Sequence, residues 1–335
     1  MPLISNLENL PELAFDFVIV GGGSAGCVLA SRLSEDNACK VLLVESGAYS
    51  RHPLIRVPTG VGIIWKQRLF DWQLNSTETP SLNQRKIELM RGKVLGGSSA
   101  INAMSHVRGA PADYDGWHDA GCDGWSYDEV APFFRKSENW IGPPTGHRGC
   151  GGPITVSPAQ SADPLYEAWF EAAKSCGHKV IEDYNALPHG VPLEGFARSQ
   201  QTIGNGYRVT ASSAYLEGQQ NRPNLCILTQ THVTRINFVG NRAQQIDVIS
   251  GRDRCQKSFV IDGTLILSAG AFYTPHILMH SGIGPEKVLR QAGLSLRHKS
   301  EAVGRNYRDH IAVQINFRRS KKGEFHRQMR LDQLM

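Results

Sequence analysis

No apolar stretch in this 335-residue sequence approaches the ~20 residues that a helix needs to cross a bilayer. The N-terminal MPLISNLENLPELAF has neither the basic start nor the continuous apolar core of a secretory leader. There is no C-x-x-C pair. The seven cysteines stand singly at 27, 39, 122, 150, 176, 226 and 255, and an odd number cannot all pair within one chain. Most of them read as small buried hydrophobes, and a reducing, cytoplasmic setting is the expected location. No long basic run is interleaved with aromatics, so the excess of 36 Lys and Arg over 31 Asp and Glu reads as a solvated surface and no nucleic-acid partner is expected. Internal repeats and low-complexity segments are missing too. What remains is a chain with 41% hydrophobic and 20% charged residues, the composition of a globular protein with material for two domains.

The strongest local signal is a strand, a glycine turn, a helix, a second strand and an acid, in that order. FDFVIV at Phe15–Val20 has the length and β-branched content of a buried parallel strand. GGGSAG follows, with Gly21, Gly23 and Gly26 at the G-x-G-x-x-G positions of a dinucleotide fingerprint. Gly21 makes the tight turn, Gly23 lets the backbone approach a pyrophosphate, and Gly26 lets the next helix pack close on the strand. That helix, predicted from about Ser24 through Leu33, aims the N–H groups of its first turn, Ser24 and Ala25, at the phosphates. The second strand, VLLV at Val41–Val44, ends on Glu45, whose carboxylate can accept from ribose hydroxyls and repels a 2′-phosphate. The fingerprint itself does not choose between a flavin and a nicotinamide dinucleotide.

A second glycine-rich segment, RGKVLGGSSAINAM, runs from Arg91 to Met104. Its Gly96, Gly97, Ser98 and Ser99 form a small-residue turn whose backbone can touch a flat ring, and Asn102 can reach a ring's polar edge with its amide. A helix start with Ser98 or Ser99 as N-cap is equally compatible with these residues. Further on, SAGAFYTPHILMHSGIGP at Ser268–Pro285 reads as a strand end, a turn at Gly270, and a helix with Thr274 as N-cap and Pro275 at its first position. His276 and His280 share a helix face at a spacing that can bind metal, but no E-x-x motif accompanies them and packing is the preferred reading.

The two glycine-rich signatures, Arg91–Met104 and Ser268–Pro285, resemble those of the glucose-methanol-choline (GMC) oxidoreductases. VRGAPADYDGWHDAGCDGWSYDEVAPFFRKSE at Val107–Glu138, RPNLCILTQTHVTRINF at Arg222–Phe238 and VGRNYRDH at Val303–His310 extend the resemblance in order over most of the chain. It implies an α/β fold, a Rossmann-like FAD-binding domain interleaved with an incomplete α+β substrate-binding domain. Residues 1–155 would open the FAD domain, 156–221 the substrate domain, 222–310 would return to the FAD domain, and 311–335 would resume the substrate domain. By the same resemblance Val94, Asn102, Ala103, Met104 and Ser105 lie along the flavin, and Val233 contacts the adenine through its backbone. Gly21, Gly23, Ser24, Ala25, Gly26, Glu45 and Gly97 complete the expected cofactor site. Choline oxidase-like members carry a flavin-linking histidine at the position of Ile101, so a noncovalent FAD is expected here.

The implied chemistry is oxidation of a small-molecule alcohol, with hydride transfer to flavin N5 and oxygen or a quinone as final electron acceptor. The family's base is a histidine near the C-terminus, partnered by a second histidine or an asparagine. The resemblance places that pair beyond Met335, so no catalytic residue is expected within the chain. EFHRQMRLDQLM at Glu324–Met335 resembles family sequence that continues into the substrate domain. Three functions follow: an FAD-dependent alcohol dehydrogenase or oxidase whose sequence here is incomplete, a catalytically inactive FAD-binding fragment, and a lyase of the hydroxynitrile lyase type that keeps FAD without redox use.

Overall fold

The computed structural model describes residues 3–4, 15–49, 51–159, 163–186, 194–219, 222–251 and 255–310, together with 312, 313, 315, 317, 318 and 323. The segment Glu324–Met335, whose sequence also reads as the opening of a helix, lies outside the described residues. The chain divides into two compact units: one from 1–104 and 203–308, the other from 105–202 and 309–335.

The first unit is built on a parallel sheet. Its strands are β1 (Leu3–Ile4), β2 (Phe17–Val20), β3 (Val41–Val44), β4 (Leu225–Leu228) and β8 (Thr264–Leu267), in the order β1-β4-β3-β2-β8. FVIV, VLLV and LCIL are unbroken apolar runs because both faces of the sheet are covered. β2 starts at Phe17 rather than at the predicted Phe15, since the Asp16 carboxylate accepts from the Lys40 N–H at 2.7 Å instead of extending the ladder. On one face Val18, Val20, Leu42, Val44, Cys226 and Leu228 form a core with Val233, Ile236, Ile246, Val248, Ile261 and Ile277. The upper part of that core comes from an antiparallel meander, β5 (Thr231–Val239), β6 (Arg242–Ser250) and β7 (Cys255–Val260). α1 (Ser24–Leu33) packs against β2 and β3.

α2 (Gly270–His280) follows β8 directly. This corrects the helix start predicted at Thr274. Gly270, at φ +79, turns the chain straight off the strand, and Pro275 then lies inside the helix, where it gives up one backbone N–H. Neither Ser98 nor Ser99 serves as an N-cap. The segment Gly97–Ala100 is a single 3₁₀ turn capped by Gly96, while Ser99 Oγ donates to Gly96 O at 2.6 Å and Ser98 Oγ accepts from the Gly92 N–H at 3.1 Å.

In the second unit the strand Ile154–Pro158 pairs parallel with Glu138–Trp140 and antiparallel with Gln200–Gln201. Helices at Pro111–Asp119, Tyr127–Ser137 and Leu165–Ser175 complete its described part. A charged network sits at its centre. Glu138 accepts from Arg108 Nη2 at 2.6 Å, Arg148 Nη2 at 2.8 Å and the Gly149 N–H at 2.9 Å, with His106 Nε2 3.3 Å away. Arg148 also reaches Asp183 and Gln200, and its guanidinium lies 3.8 Å from the centre of the Trp140 ring. Burial alone would raise the Glu138 pKa. The His106 and Gly149 hydrogen bonds and the two guanidiniums outweigh it and hold the carboxyl below its ordinary range.

Candidate functional site

The turn after β2 places backbone where a side chain cannot go. A Cβ on Gly26 would lie 1.9 Å from Gly21 O, so α1 can approach the strand only with glycine there. A Cβ on Gly97 would lie 2.7 Å from Gly23 Cα, whereas a Cβ on Gly23 would find its nearest neighbour, Gly97 Cα, at 4.0 Å. The two glycine-rich segments therefore meet backbone to backbone, with open space on the Gly23 side. Gly23 is also the N-cap of α1; it offers no side-chain acceptor, and the first turn carries no acid. The orphan N–H groups at Ser24 and Ala25 are left to face solvent, an arrangement suited to an anion.

Glu45 leaves β3 and turns back. Its Oε2 accepts from the Gly22 N–H at 2.8 Å and its Oε1 from the Gly47 N–H at 2.7 Å. At 6% exposure, burial pushes its pKa up to about 7 despite those two bonds and the Lys93 charge. Each oxygen keeps a free lone pair for a hydroxyl donor.

These groups surround a cavity of about 440 Å³. Of the residues expected to bind cofactor, Gly21, Gly23, Ser24, Ala25, Glu45, Gly97 and Val233 line it. Gly26 stands behind the wall as a packing residue. Val94 is buried with Ile55, Ile64, Ala100 and Ile101 in a separate cluster. Asn102 and Ala103 are exposed and Met104 is buried at φ +62; none of the three lines the cavity. Asn102 Oδ1 instead accepts from the Met104 N–H at 3.0 Å and from Arg208 Nη1 at 2.8 Å. Ser105 belongs to the second unit, bridged to Gln201.

Sequence reasoning missed an aromatic wall of the same cavity. The Trp72 and Tyr273 rings lie 3.9 Å apart between centroids, and His232 is 5.3 Å from Trp72 and 5.6 Å from Tyr273. Ser46 Oγ sits 3.1 Å from His232 Nδ1. His232 directly precedes Val233 and Tyr273 lies within the Ser268 signature, so both were within reach of the sequence. Trp72 carried no signal of its own in the sequence. From Tyr273 the ring contacts continue to His276 at 5.6 Å and from there to His280 at 4.4 Å.

A glycine backbone opposite a bare helix N-terminus, an acceptor carboxyl at the next strand end and an aromatic wall fit the parts of a dinucleotide cofactor. Comparison with known proteins decides the family. The model of the GMC oxidoreductase family matches residues 15–312. The chain belongs to the GMC oxidoreductases. It is 36% identical over 305 residues to an oxygen-dependent choline dehydrogenase from Photobacterium profundum, and 38% identical over 304 residues to one from Brucella anthropi. Each match covers 90% of this chain and 53% of that protein, so the chain spans about half the length of the curated relatives it matches. Among solved structures, pyridoxine 4-oxidase from Mesorbium loti superposes with a TM-score of 0.79 at 35% identity, over 85% of this chain and 55% of that one. An FAD-dependent oxidoreductase from Chaetomium thermophilum gives 0.77 at 32%, over 85% and 50%. These GMC relatives are oxidoreductases, in line with the fold and the family expected from the glycine-rich signatures.

Proposed function

We propose that the first unit binds FAD noncovalently and that the protein serves FAD-dependent oxidation of the CH–OH group of a small-molecule alcohol. The observation that carries this reading is the meeting of Gly23 and Gly97, seventy-odd residues apart in sequence, at one cavity with Glu45 and Val233. Gly23, Ser24 and Ala25 would hold the pyrophosphate through backbone N–H groups, Glu45 a ribose hydroxyl, and the Val233 backbone the adenine. The segment from Val94 to Ser105 would follow the flavin. FAD, when bound, supplies the two-electron acceptor at N5 for the hydride of the alcohol carbon. Around it the chain's own groups bind, orient and shield. Ile101, 3% exposed among apolar neighbours, has no nucleophile for a covalent link, which supports a dissociable cofactor.

The substrate class follows that of the relatives, named for choline and for pyridoxine. The final acceptor is oxygen or a quinone. The interleaved domain plan set out from the sequence and a cytoplasmic location complete the proposal, and the free cysteines among the described residues agree with a reducing compartment. The second reading is an FAD-binding module without turnover, since the resemblance assigns no catalytic base among these residues.

The deciding experiment is the absorption spectrum of the purified chain before and after anaerobic addition of choline and a panel of primary alcohols. Flavin bands that bleach establish the oxidoreductase. Flavin bands that persist establish the inert module, and a colourless protein overturns FAD binding.

A further inference from the structure

Arg208 has surroundings that cofactor binding alone leaves unexplained. It is 4% exposed, and its described partners are neutral: Nε donates to Ile55 O at 3.0 Å, and Nη1 to Asn102 O at 2.6 Å and Asn102 Oδ1 at 2.8 Å. Nη2 is buried with no acceptor, and no carboxylate pairs with the guanidinium among the described residues. Burial lowers its pKa to about 10, so it stays charged at neutral pH. Buried charges are ordinarily paired, because removing an ion from water costs far more than neutral hydrogen bonds return. Arg68, in the same unit, follows that rule by pairing with Asp71 at 2.8 Å.

The place of this charge gives it a use. The Asn102 N–H donates to Ser98 O at 2.9 Å, and Ser98 lines the cavity. Arg208 thus grips the chain one turn beyond the cavity wall and leaves its charge behind that wall. A buried unit charge behind the wall favours an equilibrium that adds one negative charge inside it, and at an effective dielectric constant near 20 any unit charge within ~10 Å does so by roughly tenfold or more.

We propose that Arg208 is a positioning residue of the cofactor cavity whose uncompensated charge favours the reduced flavin as an anion. This rests on the reading that the cavity holds FAD. Flavin that takes up two electrons and one proton gains one negative charge; in the alcohol reaction both electrons come from the substrate C–H bond, and the hydroxyl proton leaves to a base. Arg208 takes no proton and makes no bond to the reacting atoms.

The test is a reductive titration of the FAD-loaded full chain against a reference dye, with dithionite as reductant, so no turnover is needed. For the wild type the midpoint potential should fall by about 30 mV per pH unit between pH 6 and 8, the tenfold-per-unit slope of a two-electron couple that takes up one proton. Twice that slope means two protons and a neutral reduced flavin, and overturns the proposal without any variant. Arg208→Met should shift the equilibrium at least tenfold toward oxidised flavin, about 30 mV, while Arg208→Lys stays within threefold of wild type. If both variants lose FAD affinity and keep the wild-type potential, Arg208 is a hydrogen-bond brace alone. A wild-type chain that takes up no FAD fells the cofactor reading itself, whereas normal loading with an unshifted Met variant fells only the role of Arg208.

Discussion

Glu45 is a carboxyl that fills its cavity-side position by accepting two backbone N–H bonds, and its ionisation is tied to folding. Its folded pKa, about 7, stands above the ordinary value of 4.5. The folded state of the cofactor-free protein therefore binds the extra proton between those values. Stability from Glu45 should be complete below pH 4.5 and fall as pH rises through 7, by on the order of 3 kcal/mol over the window. Urea unfolding of the first unit at pH 5 and pH 7.5 checks this; Glu45→Gln should flatten the slope. The same change should weaken FAD binding about 10- to 100-fold if the carboxylate accepts from a ribose hydroxyl, as hydrogen bonds to charged groups do. Gly26→Ala forces a Cβ against Gly21 O and should cost about 3 kcal/mol or more in the same unfolding assay, through lost α1–β2 packing.

Among the elements, the network around Glu138 joins the Glu138–Trp140 strand to the loop that carries Arg148. Glu138→Ala leaves the buried Arg108 guanidinium without its anion and Arg148 with Asp183 alone, and should destabilise the second unit by about 3 to 5 kcal/mol, read by amide exchange of that unit. The pH response is opposite to that of Glu45. A depressed carboxyl gives stability that is present above its unfolded pKa and lost as pH falls through the folded one, so acid should loosen this unit while it tightens the first. Arg148 stands in the glycine-rich segment GPPTGHRGCGGP, Gly142–Pro153, and nothing local tells an arginine there that a glutamate ten residues earlier is buried. β2, α1 and β3 were legible almost to the residue, since their patterns answer to local steric rules. β6 passed unnoticed: its buried Ile246 and Val248 alternate with polar residues over too short a run, and its pairing with β5 and β7 supplies what propensity does not. At the site, Gly21, Gly26 and Glu45 could be named for the same local reason. Trp72 and Arg208 could not, because their roles depend on which distant segments they meet.

For the molecule as a whole, the cysteines give an inexpensive check of the described structure. Cys122, Cys150 and Cys176 are exposed, while Cys27 and Cys226 are buried with thiol pKa values pushed up to about 12 and about 11. A maleimide at pH 7 should label the first three within minutes and spare the other two until denaturant is added. Labelling of Cys27 in native protein would mean that α1 is not seated on β2. The family and the parallel sheet follow from signatures spread along the chain, and the match over residues 15–312 agrees with them.

The pairing of β2 with β8 has one more consequence. Phe17–Val20 takes Thr264–Leu267 as a neighbour some 240 residues later. On a ribosome adding ~5 to 20 residues per second, the glycine turn after β2 waits roughly 12 to 50 s before that edge can be closed. During that interval the segment between Ser105 and Thr202, which needs nothing from β8 for its own described strands, has already emerged. Birth order and assembly order thus diverge: a strand made among the earliest is among the last to be finished, and the nascent fingerprint must stay soluble on its own until then.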